Sequence, residues 1–525
     1  MHAVTVHAPG REPRSLPFAP GRTVAQAVYL SGLWPAPALC SGLGRCGRCR
    51  VRFRSQAPEP VPADLARLTP DELEQGWRLG CAHVARPGME LELPLDAPTA
   101  HPPPALETLP SGDGFALAVD LGTTSLHWEA LDKGETLARG AELNPQMGAG
   151  SEVMSRLALA AGPDGAELLR SLVVERLRSI MAALAGSGAG PCRCLSLAGN
   201  PAMICLALGK PVSGLAAAPY RLDYAGGVTE PLAEGLPETY VLPLLAPFVG
   251  GDLSAGLAHL VADGEPGYPF VLADMGTNGE FVLALSPEEY LAASVALGPA
   301  LEGVGMAHGT VAGPGAAVAF EASPQGLRAE TIDGKTPTGV TGVGYLSLLA
   351  LLCRVGALDE TGRFADASTP LAAKLAVRQD AEHGGEPRLR LPGDLSLWAS
   401  DVAEVAKVRA AFAVGLARLL EEGGVSPHGL DALYLAGALG EHARPSDLEE
   451  LGFIPAGLGA RVRKAGNTSL AGARLALVRP AVRDWLAALP GRTRLLDLSA
   501  DPGFLRRFVP AMGLGPWPGK GDQGA

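Results

Sequence analysis

Aromatic residues make up only 5% of this 525-residue chain. No apolar run reaches the roughly 20 residues that a membrane-spanning helix needs, because glycine, proline or a charged residue interrupts each one. The opening, MHAVTVHAPGREP, lacks the basic, apolar and cleavage segments of a secretory leader. No membrane partner and a cytoplasmic location are expected. Basic charge is also in deficit: 43 Lys and Arg against 55 Asp and Glu leave a formal charge of −12, which argues against general affinity for nucleic acid. Eight cysteines are too few for a disulfide framework. Missing too are the GxxxxGK[ST] phosphate loop and a GxGxxG turn that follows a strand, so the common NTPase and NAD scaffolds recede.

The abundant residues are glycine (68) and proline (46), about a fifth of the chain against an average nearer an eighth. Many turns and a small-residue core follow. The length suits two to four domains. Residues 98–113 form a Pro-rich run without an apolar face and read as a linker behind a first domain, 1–97. That first domain holds 11 Lys/Arg and 9 Asp/Glu, so the acid excess lies entirely beyond it.

After the linker, FALAV (115–119) enters the turn DLGTT and leaves as LHWEAL (126–131), the pattern of a hairpin. Residues 166–184 carry apolar positions at helical spacing. The hairpin pattern returns at YPFVLA (268–273), DMGTNGE (274–280) and FVLAL (281–285). A helix over 401–421, the strand ALYLA (432–436) and a glycine turn GALG (437–440) follow. The last residues, GPWPGKGDQGA, read as disordered.

Four of the eight cysteines fall within the first 81 residues. Cys40, Cys46 and Cys49 stand in CSGLGRCGRC, a C-x5-C-x2-C arrangement, and Cys81 follows alone. Four thiolates suffice for one [2Fe–2S] cluster, and the intervening glycines let the backbone wrap closely and donate N–H groups to sulfur. Zinc prefers two CxxC knuckles, which this spacing does not offer, and reduced structural thiols are the plainer alternative. Arg45, Arg48, Arg50, Arg52 and Arg54 beside these cysteines either tune a cluster or recruit an acidic partner, or simply line a solvated strand face. Cys192, Cys194, Cys205 and Cys353 form no ligand set by spacing and read as small core hydrophobes.

In DLGTT, Gly122 admits close approach of phosphate, Thr123 and Thr124 offer N–H and hydroxyl donors, and Asp120 is placed to hold hydrated Mg2+. One such turn is weak evidence. The second, with Asp274, Gly276, Thr277, Asn278 and Gly279, recurs between two apolar strands about 150 residues later. Ordinary Gly–Thr hairpins explain this less economically than a duplicated, two-lobed ATPase in which Asp120 and Asp274 are disposed around metal and attacking water.

The first 90 or so residues resemble ferredoxins of the plant and adrenodoxin-like kind: an N-terminal hairpin, a helix TVAQAVYLSG (23–32), the cysteine loop, a strand RVRFR (50–54), and the last ligand in LGCAHVARPGMELELP. The remainder resembles the acetate kinase, sugar kinase, Hsp70 and actin superfamily. That resemblance implies lobes over 114–267 and 268–490, with DLGTT and DMGTNGE as phosphate motifs. It makes AGALG an adenosine motif that carries Gly437 and Gly440. Residues 491–525 would be an extension. The expected fold is an α+β, β-grasp ferredoxin-like domain followed by a two-lobed α/β domain of the ribonuclease H-like type. Glu404 and Lys407 either reach toward adenine or form an exposed ion pair.

The fusion resembles, nearly end to end, the reductive activators of corrinoid proteins. NPQMGAGSEVMSRL (144–157), LAGNPAMICLALG (197–209), LPLLAPFVGGDLSAGL (242–257), ALGPALEGVGMAHG (296–309) and KAGNTSLAGARLAL (464–477) match that family's pattern. Two departures are Thr341-Gly342-Val343-Gly344, where the family shows Cys-Gly-Ser-Gly, and Ala438-Leu439, where Gly-Phe is usual. The resemblance implies ATP-dependent, one-electron reduction of a Co(II) corrinoid protein, with a low-potential electron donor upstream and a homodimer left open. A small-molecule kinase with an appended electron carrier and a redox sensor switched by ATP are the rival functions.

Overall fold

The computed structural model describes residues 2–37, 39–94, 112–264, 266–324, 326–365, 369, 372–375, 377–380 and 385–519. Most of the expected linker, and residues 520–525 of the tail, lie outside them. The chain divides into two compact units, Met1–Val241 and Leu242–Ala525.

The first unit begins with a five-stranded mixed sheet in the order Arg14–Pro17, Ala3–His7, Glu90–Glu92, Arg50–Phe53, Trp77–Leu79. Ala3–His7 pairs antiparallel with its hairpin partner and parallel with Glu90–Glu92, as a β-grasp requires. Alternation places Val4 and Val6 in the core and Thr5 between them at its edge. The covering helix is Val24–Tyr29, started by a capping box between Thr23 and Gln26. It is shorter than the expected 23–32. Ser31 Oγ turns back to donate to Val28 O at 2.7 Å, and Gly32 adopts a left-handed φ of 74°.

Behind this module lies a six-stranded sheet, ordered Val228–Pro231, Glu238–Val241, Cys192–Gly199, Phe115–Leu121, Ser125–Asp132, Glu135–Leu143. Three consecutive antiparallel strands are followed by the helix Gly165–Leu184, and Cys192–Gly199 then returns parallel to the first strand. Of the apolar positions that mark the helix in the sequence, Leu169, Leu177, Ile180 and Met181 are buried and Leu168 and Leu172 only partly so, while Val173, Val174 and Leu184 complete the buried face.

The second unit repeats the plan. Phe270–Met275, Asn278–Ser286 and Glu289–Ala296 form the antiparallel run, the helix Ala399–Glu422 crosses, and Ala432–Ala436 returns parallel to Phe270–Met275. Two small three-stranded sheets and the buried helix Gly342–Arg354 are inserted before the crossing helix.

Three further features bear on the expected boundaries. The helix Gly251–Gly264, expected within 114–267, belongs to the second unit. It crosses Thr468–Val478 with the backbones nearly touching, since a Cβ on Gly472 would collide with the backbone carbonyl of Ala255. The supposed extension after 490 supplies a strand, Thr493–Leu496, parallel to Glu289–Ala296. The tail is held as far as Pro516: the buried guanidinium of Arg409 donates to the carbonyls of Leu451, Ala511, Gly515 and Pro516. No helix among the described residues is long and apolar enough to cross a membrane.

Candidate functional sites: a four-cysteine loop and two Asp-x-Gly-Thr turns

The cysteine loop is shaped by left-handed backbone. Ser41, Gly42, Gly44 and Gly47 take φ values of 52°, 84°, 68° and 65°. Gly44 is also pressed against the neighbouring turn, where an added Cβ would lie 2.7 Å from that of Ala63. The loop turns backbone N–H groups toward sulfur: Arg45 N donates to Cys40 Sγ at 3.2 Å, and Cys81 N to Cys49 Sγ at 3.4 Å. The four thiols meet as two hydrogen-bonded pairs, Cys40 with Cys46 and Cys49 with Cys81. In each pair the accepting sulfur, that of Cys40 or Cys81, is favoured as thiolate, and its partner is pushed up. Two pairs of thiols with backbone N–H groups turned toward sulfur are, once deprotonated, the donor set that a two-iron rhomb would take.

A residue outside every motif holds this arrangement. Asp64 is 0% exposed and accepts from Val61 N (2.9 Å), Leu79 N (2.7 Å) and His83 Nε2 (2.8 Å), so it ties the short helix Pro62–Leu65 to the segment that bears Cys81. The only local sign of Asp64 is an acid in the first turn after a proline. Two of the five arginines pair along the strand face, Arg52 with Glu92 (3.7 Å) and Arg54 with His7 Nδ1 (2.9 Å). Arg50 instead reaches off the strand to Glu72 (2.6 Å) on the helix Pro70–Glu74 and donates through Nε to Gly47 O of the cysteine loop at 3.0 Å.

In the second half of the first unit, Asp120 ends a strand opposite His127, whose Nδ1 lies 3.5 Å from Asp120 Oδ2. The turn is clamped from three directions. Asn144 Nδ2 donates to Gly122 O at 2.7 Å, Asn200 Nδ2 to Thr123 Oγ1 at 2.9 Å, and the guanidinium of Arg156 to Thr123 O.

In the second unit, Asp274 ends the equivalent strand, beside Ala436 on the parallel neighbour and opposite Glu280 on the antiparallel one. Gly437 follows with φ of 77°, and a Cβ there would come within 2.6 Å of Asp274 Oδ1. AGALG is therefore not a turn: Gly437 opens a short helix, Gly437–His442, directly against the phosphate-type turn. Gly440 is buried against Leu435. The Thr277 hydroxyl is engaged by Glu302, while Gly276 is exposed and Asn278 half-buried. Glu280 was not singled out from the sequence. It is 5% exposed, its Oε1 meets no protein partner, and burial, then the nearby Asp252 and Asp274, hold its carboxyl well above the usual range.

Among the remaining sequence features, Glu404 and Lys407 form an exposed ion pair at 2.7 Å. Thr341-Gly342-Val343-Gly344 is a helix start in which Thr341 Oγ1 accepts from Gly344 N at 3.1 Å. Burial pushes the Cys205 thiol up to about 11, as befits a core hydrophobe.

Comparison with known proteins agrees with this geometry. Residues 8–86 match the family model of a 2Fe-2S iron-sulfur cluster binding domain, 115–263 that of the RACo middle region, and 269–517 that of the C-terminal domain of RACo, the ASKHA domain. The corrinoid activation enzyme RamQ of Eubacterium limosum is 28% identical over 420 residues, 75% of this chain and 69% of that protein. A Co(II) methylated amine-specific corrinoid protein reductase of Methanosarcina barkeri is 25% identical over 399 residues, 69% of each. The solved structure of a reductive activator for a corrinoid, iron-sulfur protein shares the fold, with a TM-score of 0.66 at 22% identity over 98% of both chains. With a ferredoxin-type module in front and RACo regions across most of the remainder, this chain belongs to the RACo family.

Proposed function

We propose that this protein is an ATP-driven reductive activator, which takes one electron from a low-potential donor and delivers it to the Co(II) form of a corrinoid protein, restoring Co(I) for methyl transfer. One observation carries the reading: a single chain joins a four-thiol loop suited to one cluster with a duplicated fold whose halves each end a strand in an Asp-x-Gly-Thr turn. The names of the relatives above support the choice of a corrinoid protein as partner. Bound through Cys40, Cys46, Cys49 and Cys81, the [2Fe–2S] cluster supplies a one-electron carrier.

The chain's own residues do the rest. In the first unit Gly122, Thr123 and Thr124 offer backbone and hydroxyl donors to phosphate, with the Thr123 hydroxyl oriented by Asn200. In the second, Gly276, Thr277, Asn278 and Gly279 offer the matching donors. Because the Thr277 hydroxyl is occupied by Glu302, its N–H is the available group. Gly437 is the residue that would bring the backbone close to the adenosine, and Gly440 lets the helix that Gly437 opens pack against Leu435. Each turn carries its own carboxylate, Asp120 in the first unit and Asp274 in the second, of the kind that would hold hydrated Mg2+ or orient the water that attacks the γ-phosphorus as its bond to the bridging oxygen of ADP breaks.

The energetics favour such coupling. Co(I) demands a donor more reducing than a plant-type cluster at roughly −400 mV. Each ~59 mV of deficit in a one-electron transfer is a factor of ten, or about 1.4 kcal/mol. Hydrolysis that switches the protein between two states offsets such a deficit, provided that nucleotide binds the two states unequally.

Anaerobic titration of Co(II) corrinoid proteins with this protein and a low-potential reductant, followed by absorbance, tests the reading. Co(I) is expected only when ATP is present. Formation of Co(I) at the same rate without ATP, or phosphorylation of a small metabolite instead, would overturn it.

A further inference from the structure

The motif NPQMGAGSEVMSRL has so far served only to anchor the first phosphate-type turn. Its other end reaches the cysteine loop, within the same unit. Asn144 N donates to Thr124 O at 2.9 Å while its side chain holds Gly122 O. The chain then forms a buried 3-10 turn, Pro145–Ala149, whose Gly148 lies backbone to backbone against the end of the helix that precedes the cysteines. A Cβ on Gly148 would sit 2.6 Å from Tyr29 O and 2.9 Å from Leu30 N. Two residues on, Gly150, with φ of 132°, approaches Ser41, and a Cβ there would lie 2.6 Å from Ser41 Oγ. Ser41 is the neighbour of Cys40 and itself holds a left-handed φ of 52°.

Arg156 closes the circuit. It is 0% exposed, and one guanidinium spans both ends: it donates to Thr123 O in the phosphate-type turn and, at 3.1 Å from Nη2 and 3.3 Å from Nε, to Gly150 O. Gln146 Oε1 at 3.4 Å and the sulfurs of Met147 and Met203 complete its surroundings. A planar fork buried among carbonyls has little freedom to adjust one contact without disturbing the others. Movement of Thr123 O on nucleotide binding is therefore passed to Gly150 and on to Ser41.

We propose that Arg156 is a positioning residue that couples the first phosphate-type turn to the cysteine loop, so that nucleotide occupancy alters the environment of Cys40 through Gly150 and Ser41. This rests on the ATP reading above. Linkage makes the coupling reciprocal: if nucleotide shifts the redox equilibrium, oxidised and reduced protein must bind nucleotide with different affinity. A tenfold difference corresponds to ~59 mV for a one-electron couple.

The test uses full-length, cluster-loaded protein under anaerobic conditions. Affinity for the β,γ-imido analogue of ATP is measured in the oxidised and dithionite-reduced states, and the EPR spectrum of the reduced protein is recorded with and without the analogue. Wild type is expected to bind with affinities that differ severalfold between the states and to change its EPR line shape on binding. In Arg156→Met the affinity ratio should fall to one and the line shape should stop responding. Ser41→Gly, which relieves rather than adds backbone strain and leaves Arg156 in place, should shrink both responses, and it decides the matter if Arg156→Met does not fold. Analogue binding by wild type with equal affinities and an unchanged spectrum would overturn the coupling while leaving the ATP reading standing. So would an undiminished response in both variants. Absence of analogue binding in wild type would remove the ATP reading itself, and the coupling with it.

Discussion

In the function proposed above, electron transfer depends most simply on Cys40, Cys46, Cys49 and Cys81. Replacing any one of them with Ala leaves one iron short of a thiolate, so visible absorbance and acid-labile sulfide should fall to a small fraction of wild type in anaerobically purified protein. Tightly bound zinc with no labile sulfide in the wild type would refute the assignment. Gly437 carries a different constraint, because a side chain there meets Asp274 Oδ1 and a φ of 77° costs a non-glycine residue about 1–2 kcal/mol. Gly437→Ala should lower ATP hydrolysis at least about tenfold while the visible spectrum stays unchanged. A wild-type rate would place the adenosine-side contact elsewhere. Glu280 gives a pH signature. The unfolded chain ionises this carboxyl near the ordinary 4.5, whereas the folded chain keeps its proton to higher pH, so stability of the unliganded protein falls as pH rises above that value. Glu280→Gln cannot ionise and should remove this slope, at most about 1.4 kcal/mol per pH unit. Thermal melts from about pH 5 to pH 8 read the difference, and parallel curves for variant and wild type would dismiss the buried carboxyl as its source.

Among the elements, the helix Ala399–Glu422 depends on the tail more than its own pattern suggests. Arg409 is buried on it, and burial lowers its guanidinium to about 10. Three of its four carbonyl acceptors belong to Ala511, Gly515 and Pro516. Truncation before Ala511 strands a buried cation and is expected to cost ~1–3 kcal/mol or more in urea unfolding of the second unit. Arg409→Met in the truncated chain should recover part of that loss. No recovery would mean that the tail acts through packing alone. Glycine and proline richness at the C-terminus read as disorder because the partner that orders it lies more than a hundred positions away. The helix Gly165–Leu184, by contrast, was legible in its apolar periodicity, since it buries one stripe, whereas Ala399–Glu422 is buried on every side over residues 408–417.

For the whole molecule, the proposed sites for electron and nucleotide lie on different elements, so loss of one chemistry should leave the other in place. Asp120→Ala and Asp274→Ala are each expected to abolish ATP hydrolysis and cobalt reduction while the visible spectrum and dithionite reduction remain as in wild type. Hydrolysis at the wild-type rate in both variants would remove the two aspartates from the mechanism. Loss of the spectrum in Asp120→Ala would show that its role is to hold the fold of the first unit.

The sequence by itself determined those features whose partners lie close along the chain. The cysteine loop shows in its spacing because three of its four thiols sit within ten residues, and the two phosphate-type hairpins show because a strand, a Gly–Thr turn and a strand are continuous. Only the tertiary structure decided which distant groups hold these pieces. Asp64 secures the segment of Cys81 from a short helix earlier in the chain, Glu280 faces Asp274 on a neighbouring strand, and Arg156 spans from Thr123 to Gly150. The helix Gly251–Gly264 joins the second unit through a close crossing more than two hundred residues further on. A buried polar group is placed by carbonyls and amides that any residue type can supply, so its partners leave no mark in the sequence until the backbone brings them together.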